Sequence, residues 1–132
     1  MKNIFKKGDQ RKFERTVTKE DIAKFESGTV HEVYSSFALA RDAEWSGRLF
    51  VLEMKEEGEE GIGTRISVQH KSPAFIGDKI EFTASFIEIK EDGEIINSYE
   101  ARVGGRLIAY GKQGQRILPA EKINKIFKNF SK

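Results

Sequence analysis

Three side chains in this sequence have the types and spacing for acyl-transfer or acid–base chemistry: Ser36, Glu44 and His70. Glu44 falls in a stripe with Phe37, Ala40, Gly47 and Val51, where a carboxylate would lose water. Loss of water raises a carboxylate's pKa and suits it to act as a base or nucleophile. Arg41 and Arg48, three and four residues away, are close enough to pair with it, which gives Glu44 a structural explanation as well. His70 ends an alternating run of Ile62, Thr64, Ile66 and Val68, so its ring is expected to point inward near the rim of a sheet. Ser36 stands at the entrance of a helix, where a serine hydroxyl accepts from an unpaired amide and needs no further role. Ser36 and Glu44 are separated by ~12 Å of helix axis, so they can flank a substrate but not bond directly. The helix N-terminus between them favours developing negative charge.

The elements that position these groups read clearly. Lys12 to Val17 alternates and predicts a first strand, after residues 1–10, a loose basic leader. Thr18-Lys19-Glu20-Asp21 has the form of a capping box and predicts a short helical turn through Phe25, broken at Ser27-Gly28-Thr29, with His31 in a loop. A long helix is expected from Ser35-Ser36 through Lys55, apolar over more than one face and therefore wrapped by other structure. Ile62 to Lys71 reads as one strand with Gly63, Arg65, Ser67, Gln69 and Lys71 facing outward. A second strand follows from Gly77, with Ile80, Phe82, Ala84 and Phe86 inward and a bulge near Phe86-Ile87. Turns at Glu91-Asp92-Gly93 and Gly104-Gly105 lead through strands bearing Tyr99, Ala101 and Val103, then Arg106 to Leu118. Pro119 opens a C-terminal helix. The expectation is an α+β fold: an antiparallel sheet of about five strands wrapped around one long central helix, in a single domain over 1–132. Exposed strand edges predict a homodimer, or a larger oligomer built from it.

Composition narrows the function classes. The 132 residues include no cysteine and two histidines, which argues against disulfides, a thiolate metal site or a cysteine nucleophile. Acids and bases are interspersed to a net charge of +2, without the basic stripe of a nucleic-acid binder. Lys122, Lys125, Lys128 and Lys132 (the last outside the residues the structure describes) read as the solvated face of an amphipathic helix, opposite Ile123, Ile126, Phe127 and Phe130. No membrane-spanning run and no signal-peptide pattern are present, so a cytoplasmic location is expected.

Taken together, Val30-His31-Glu32-Val33-Tyr34-Ser35-Ser36, then Glu44, then Gly63 through Pro73 and Ile76-Gly77 resemble the hot-dog-fold acyl-CoA thioesterases, in the group similar to fluoroacetyl-CoA thioesterase. The resemblance covers roughly residues 12–127. It implies hydrolysis of an acyl-CoA thioester, with a short acyl group, by Ser36, Glu44 and His70, without cofactor or metal. Phe37, Arg65 and Lys71 are the residues expected to contact substrate. Where the family favours G-x-H-x-R in the last strand, this chain reads Gly111-Lys112-Gln113-Gly114-Gln115. That departure keeps a second class in view, a non-catalytic hot-dog dimer that binds acyl-CoA or a protein.

Overall fold

The computed structural model describes residues 1–131. In chain order these form β1 (Gln10–Thr16), a single 3-10 turn (Lys19–Asp21), the hairpin β2 (Ile22–Phe25) and β3 (Gly28–Tyr34), and α1 (Ser36–Met54). Then come β4 (Glu59–Ile66), β5 (Gln69–His70), β6 (Lys79–Ile89), β7 (Ile95–Val103), β8 (Arg106–Pro119) and α2 (Ala120–Phe130). The main sheet runs β1-β6-β7-β8-β4, with β5 also on β8, and every pairing is antiparallel. The sheet curls about α1, as the alternation of its strands predicts.

β6 buries Ile80, Phe82, Ala84 and Phe86, and its register with β7 shifts between Phe86 and Glu88, at the expected bulge. Leu39 and Ala43 of α1 join Phe82, Tyr99 and Ile108 in one core cluster. Phe50, Val51 and Met54 join Ala84, Phe86 and Ile95 in another. Each large side chain so buried contributes ~1.5–3 kcal/mol. Close approach of helix to sheet depends on Gly47: a Cβ there would overlap the side-chain amide of Gln113.

Several expectations need correction. The capping box exists, with Thr18 and Asp21 bonded reciprocally, but it closes one 3-10 turn only. Ile22 to Phe25 is a strand, and His31 lies on its partner β3 rather than in a loop. The leader up to residue 9 is neither helix nor strand, Gln10 already belonging to β1, yet it is fastened: the Lys2 amide donates to Met54 O, and Phe5 packs edge-on against Phe50 at 4.9 Å. Within the curl of the sheet, α1 buries Leu39, Ala43, Phe50 and Met54, while Phe37, Trp45 and Leu52 are exposed.

The run from Ile62 to Lys71 is two strands, β4 and β5, both on β8. Gly61 and Gly63, not Ile62 and Thr64, face α1: a Cβ at Gly61 would meet Val51, and one at Gly63 would meet Glu44. A register shift between Gly63 and Arg65 then restores the expected inward phase before Val68, which packs on the core.

The same shift sends Thr64 and Arg65 to Glu94, a side chain only 2% exposed. The Arg65 guanidinium, with Thr64 and Lys90, holds the Glu94 carboxylate well down, to about 2. Because the folded state resists this proton more than the unfolded chain does, the stabilisation is complete above the ordinary value of 4.5 and fades as pH falls toward about 2. The difference in Tm between the wild type and Glu94→Gln should therefore shrink between about pH 5 and pH 2. A gap independent of pH would refute the coupling.

Candidate active site

Helix α1 begins with a division of labour between two serines. Ser35, not Ser36, is the N-cap; its hydroxyl accepts from the Ala38 amide at 3.1 Å. That leaves the Ser36 hydroxyl, at the first helical position, free to point away from the helix. It meets His70 of β5, with Ser36 Oγ 2.8 Å from His70 Nε2. His70 is brought there because Gln69 and His70 pair with Tyr110 and Ala109 of β8, which carries the end of the sheet past the start of α1.

The pair opens on a cleft of about 380 Å³. Buried Leu39, Ala74 and Ile108 form part of its wall, and His31 of β3 and Lys71 also face it. Tyr34 closes one side and donates from its hydroxyl to Asp42, which is fully buried. Burial first, and then the Asp42 carboxylate, push the Tyr34 phenol far above its ordinary value. Asp42 also accepts from Arg41 at 2.9 Å and lies 3.2 Å from Arg15 of β1. The hydrogen bonds that Arg41 donates to Asp42 and Asp21 raise its own pKa in turn, although burial opposes this. This buried cluster ties the cleft wall to the helix and to the first strand.

Glu44 sits two turns further along α1 and does not line the cleft. It is exposed, so the burial expected from its stripe does not occur. Nor do the neighbouring arginines clamp it: Arg41 serves Asp21 and Asp42, and Arg48 pairs with Glu60 at 2.6 Å. Its carboxylate makes no ion pair among the described residues and rests over Gly63, where a Cβ would stand 2.5 Å from Glu44 Oε1. The structure thus joins Ser36 with His70 and sets Glu44 apart from them on the same helix.

The sequence matches the family model described as fluoroacetyl-CoA-specific thioesterase over residues 17–121. A Thermus thermophilus hypothetical protein, described as a thioesterase superfamily member, is 32% identical, covers 96% of this chain and 93% of its own, and superposes with a TM-score of 0.91. The chain belongs to the fluoroacetyl-CoA-specific thioesterase family. The fluoroacetyl-CoA thioesterase itself shares the fold at 18% identity, with a TM-score of 0.88 over 97% of this chain and 98% of that one. A hot-dog-like protein from Thermanaerovibrio acidaminovorans does so at 20%, with a TM-score of 0.86 over 97% and 95%. A sequence search of curated proteins found no match.

In this thioesterase-family chain the three residues expected to contact substrate are dispersed. Lys71 lines the cleft and also lies 5.6 Å from the Tyr110 ring. Phe37 is exposed, does not line the cleft, and meets Phe25 edge-on at 6.1 Å. Arg65 is held by Glu94 at 2.7 Å and is not among the residues lining the cleft. Sequence reasoning assigns no chemistry to His31 or Tyr34, yet both line the cleft. The signal for His31 is its alternation with Val33 on a strand, which only the β2–β3 pairing makes visible. Among the described residues no three His, Asp or Glu side chains gather as a metal site would require, and no helix is long and apolar enough to cross a membrane.

Proposed function

We propose that this chain hydrolyses the thioester of an acyl-CoA carrying a short acyl group, using Ser36, His70 and Glu44. The observation that carries the reading is the 2.8 Å contact between Ser36 and His70 at a partly apolar cleft, in a chain of the thioesterase family. A variant of the fluoroacetyl-CoA-specific thioesterase has been solved with fluoroacetate and CoA bound, which supports an acyl-CoA as the ligand class.

In this mechanism the thioester lies over the first two turns of α1. Water adds to the carbonyl carbon while its proton passes to Glu44. The carbonyl π pair moves to oxygen, where His70 and the Ser36 hydroxyl stabilise the charge. Collapse expels the CoA thiolate, which takes up a proton. The carboxylate of Glu44 suits this task because no cation among the described residues pairs with it. The Ser36–His70 contact also has nucleophile–base geometry, which supports a second route through an acyl-serine. Ser36→Ala separates the two: an acyl-serine route loses essentially all turnover and its initial burst of thiol, whereas direct water attack loses one hydrogen bond to the reacting oxygen.

The protein acts as a cytoplasmic homodimer in this reading. Exposed Phe25, Phe37, Phe75 and Ile76 are the surface that a second copy would cover. The test is release of free CoA thiol from a panel of acyl-CoAs by the folded wild type. Turnover of short esters supports the proposal. Tight CoA binding with no release from any ester overturns it in favour of a non-catalytic acyl-CoA-binding dimer.

A further inference from the structure

We propose that the cleft selects acyl groups ending in a carboxylate, so that the preferred substrate is the CoA thioester of a short dicarboxylic acid. The inference rests on the hydrolysis reading and deepens it. The lining of the cleft is chemically one-sided. His31, His70 and Lys71 contribute nitrogen donors, and no lining residue is acidic. Two carboxylates lie next to it without lining it: Asp42, taken up by Tyr34, Arg41 and Arg15, and Glu32, beside His31 on β3.

Donors of the cleft differ in whether they are already engaged. His70 is bonded to Ser36, Tyr34 to Asp42, and the Ser72 hydroxyl donates to Leu107 O while accepting from Arg106. The side chains of His31 and Lys71 form no hydrogen bond or ion pair with any described residue. His31 and Lys71 are themselves exposed, so it is a ligand seated against buried Leu39, Ala74 and Ile108 that would shield their contact with its anion from water. A neutral acyl group would leave His31 unbonded and Lys71 with the Tyr110 ring alone, at 5.6 Å.

CoA itself carries anions, but its long pantetheine arm separates the phosphates from the thioester. With the carbonyl at Ser36 and His70, the anion able to enter the same cleft of about 380 Å³ is one borne by the acyl chain. Lys71 and His31 then act as specificity determinants, gripping the distal carboxylate and fixing the carbonyl against His70.

The decisive comparison is succinyl-CoA against butyryl-CoA, equal in chain length and different only in the terminal carboxylate. The same two acyl groups on pantetheine, which has no phosphate, form the second arm. The expected result is a kcat/KM higher by about tenfold or more for the succinyl ester in both arms. In the His31→Gln, Lys71→Met double variant that ratio should fall toward one. Equal or better hydrolysis of the butyryl ester overturns the inference while leaving thioester hydrolysis standing. A double variant that slows both CoA esters alike and spares both pantetheine esters assigns Lys71 to the CoA phosphates, and also overturns it. Should no ester turn over, the hydrolysis reading fails alone, and calorimetric titration of the wild type with succinyl-CoA and butyryl-CoA still decides whether the cleft takes a carboxylate.

Discussion

Glu44→Gln should lower kcat for the best acyl-CoA substrate by ~10²–10⁴-fold, with KM and Tm close to wild type. Glutamine keeps the shape of the side chain but cannot take a proton from water or attack a carbonyl. Stability should hold because Glu44 is exposed and makes no ion pair among the described residues, so folding does not depend on its charge. KM should hold because the carboxylate lies over Gly63 outside the cleft, and in the proposed mechanism it takes a proton from water rather than binding the ester. Steady-state kinetics on folded proteins, with melting curves alongside, make the check. Turnover equal to wild type would remove Glu44 from the chemistry and leave the Ser36–His70 pair to act without it.

The freedom of that carboxylate is a consequence of packing that no local pattern displays. Phe37, Glu44 and Val51 recur at helical spacing, which makes Glu44 look buried, but of these three only Val51 is, and the helix seats Leu39, Ala43 and Phe50 against the sheet. The carboxylate that is fully buried is Asp42, two residues earlier, and it lies among Tyr34, Arg15 and Arg41. Where side chains alternate with clear contrast, sequence and structure agree: β6 shows Ile80, Phe82, Ala84 and Phe86 inward, and the bulge falls where the phase flips. Where glycine removes the contrast they part. Gly61 and Gly63 carry no hydropathy signal, so Ile62 and Thr64 mask the true inward phase of β4. The β2–β3 hairpin is hidden because Ile22 and Phe25, three apart, fit a helical turn, and a genuine capping box precedes them. The meeting of Ser36 with His70 is not legible in either residue alone: only the resemblance to the thioesterases groups the two, and the contact itself depends on β5 pairing with β8.

The largest expected loss of stability lies in the cluster around Asp42. Its side chain has no exposure, while those of Arg15 and Arg41 are 40% and 50% exposed. This asymmetry makes the cost depend on which partner is removed. Replacing Asp42 leaves two arginines that water can solvate, and its main penalty is the orphaned Tyr34 hydroxyl. Replacing both arginines strands a buried carboxylate with one phenol for company, and breaking a buried pair in that sense costs ~3–5 kcal/mol. In a chain of this size that lowers Tm by ~10–20 °C. The Arg15→Met, Arg41→Met double variant should therefore be severely destabilised in denaturant titrations. Adding Asp42→Asn to it should recover much of the loss, because the charge that could not be solvated is gone. A triple variant no more stable than the double would show that the arginines act through their packing on Phe13 and Asp21 rather than through Asp42. The same series separates scaffold from site. The double variant loosens Tyr34, and with it the wall beside Ser36, so its kcat/KM should fall along with Tm, and the added Asp42→Asn substitution should restore both together.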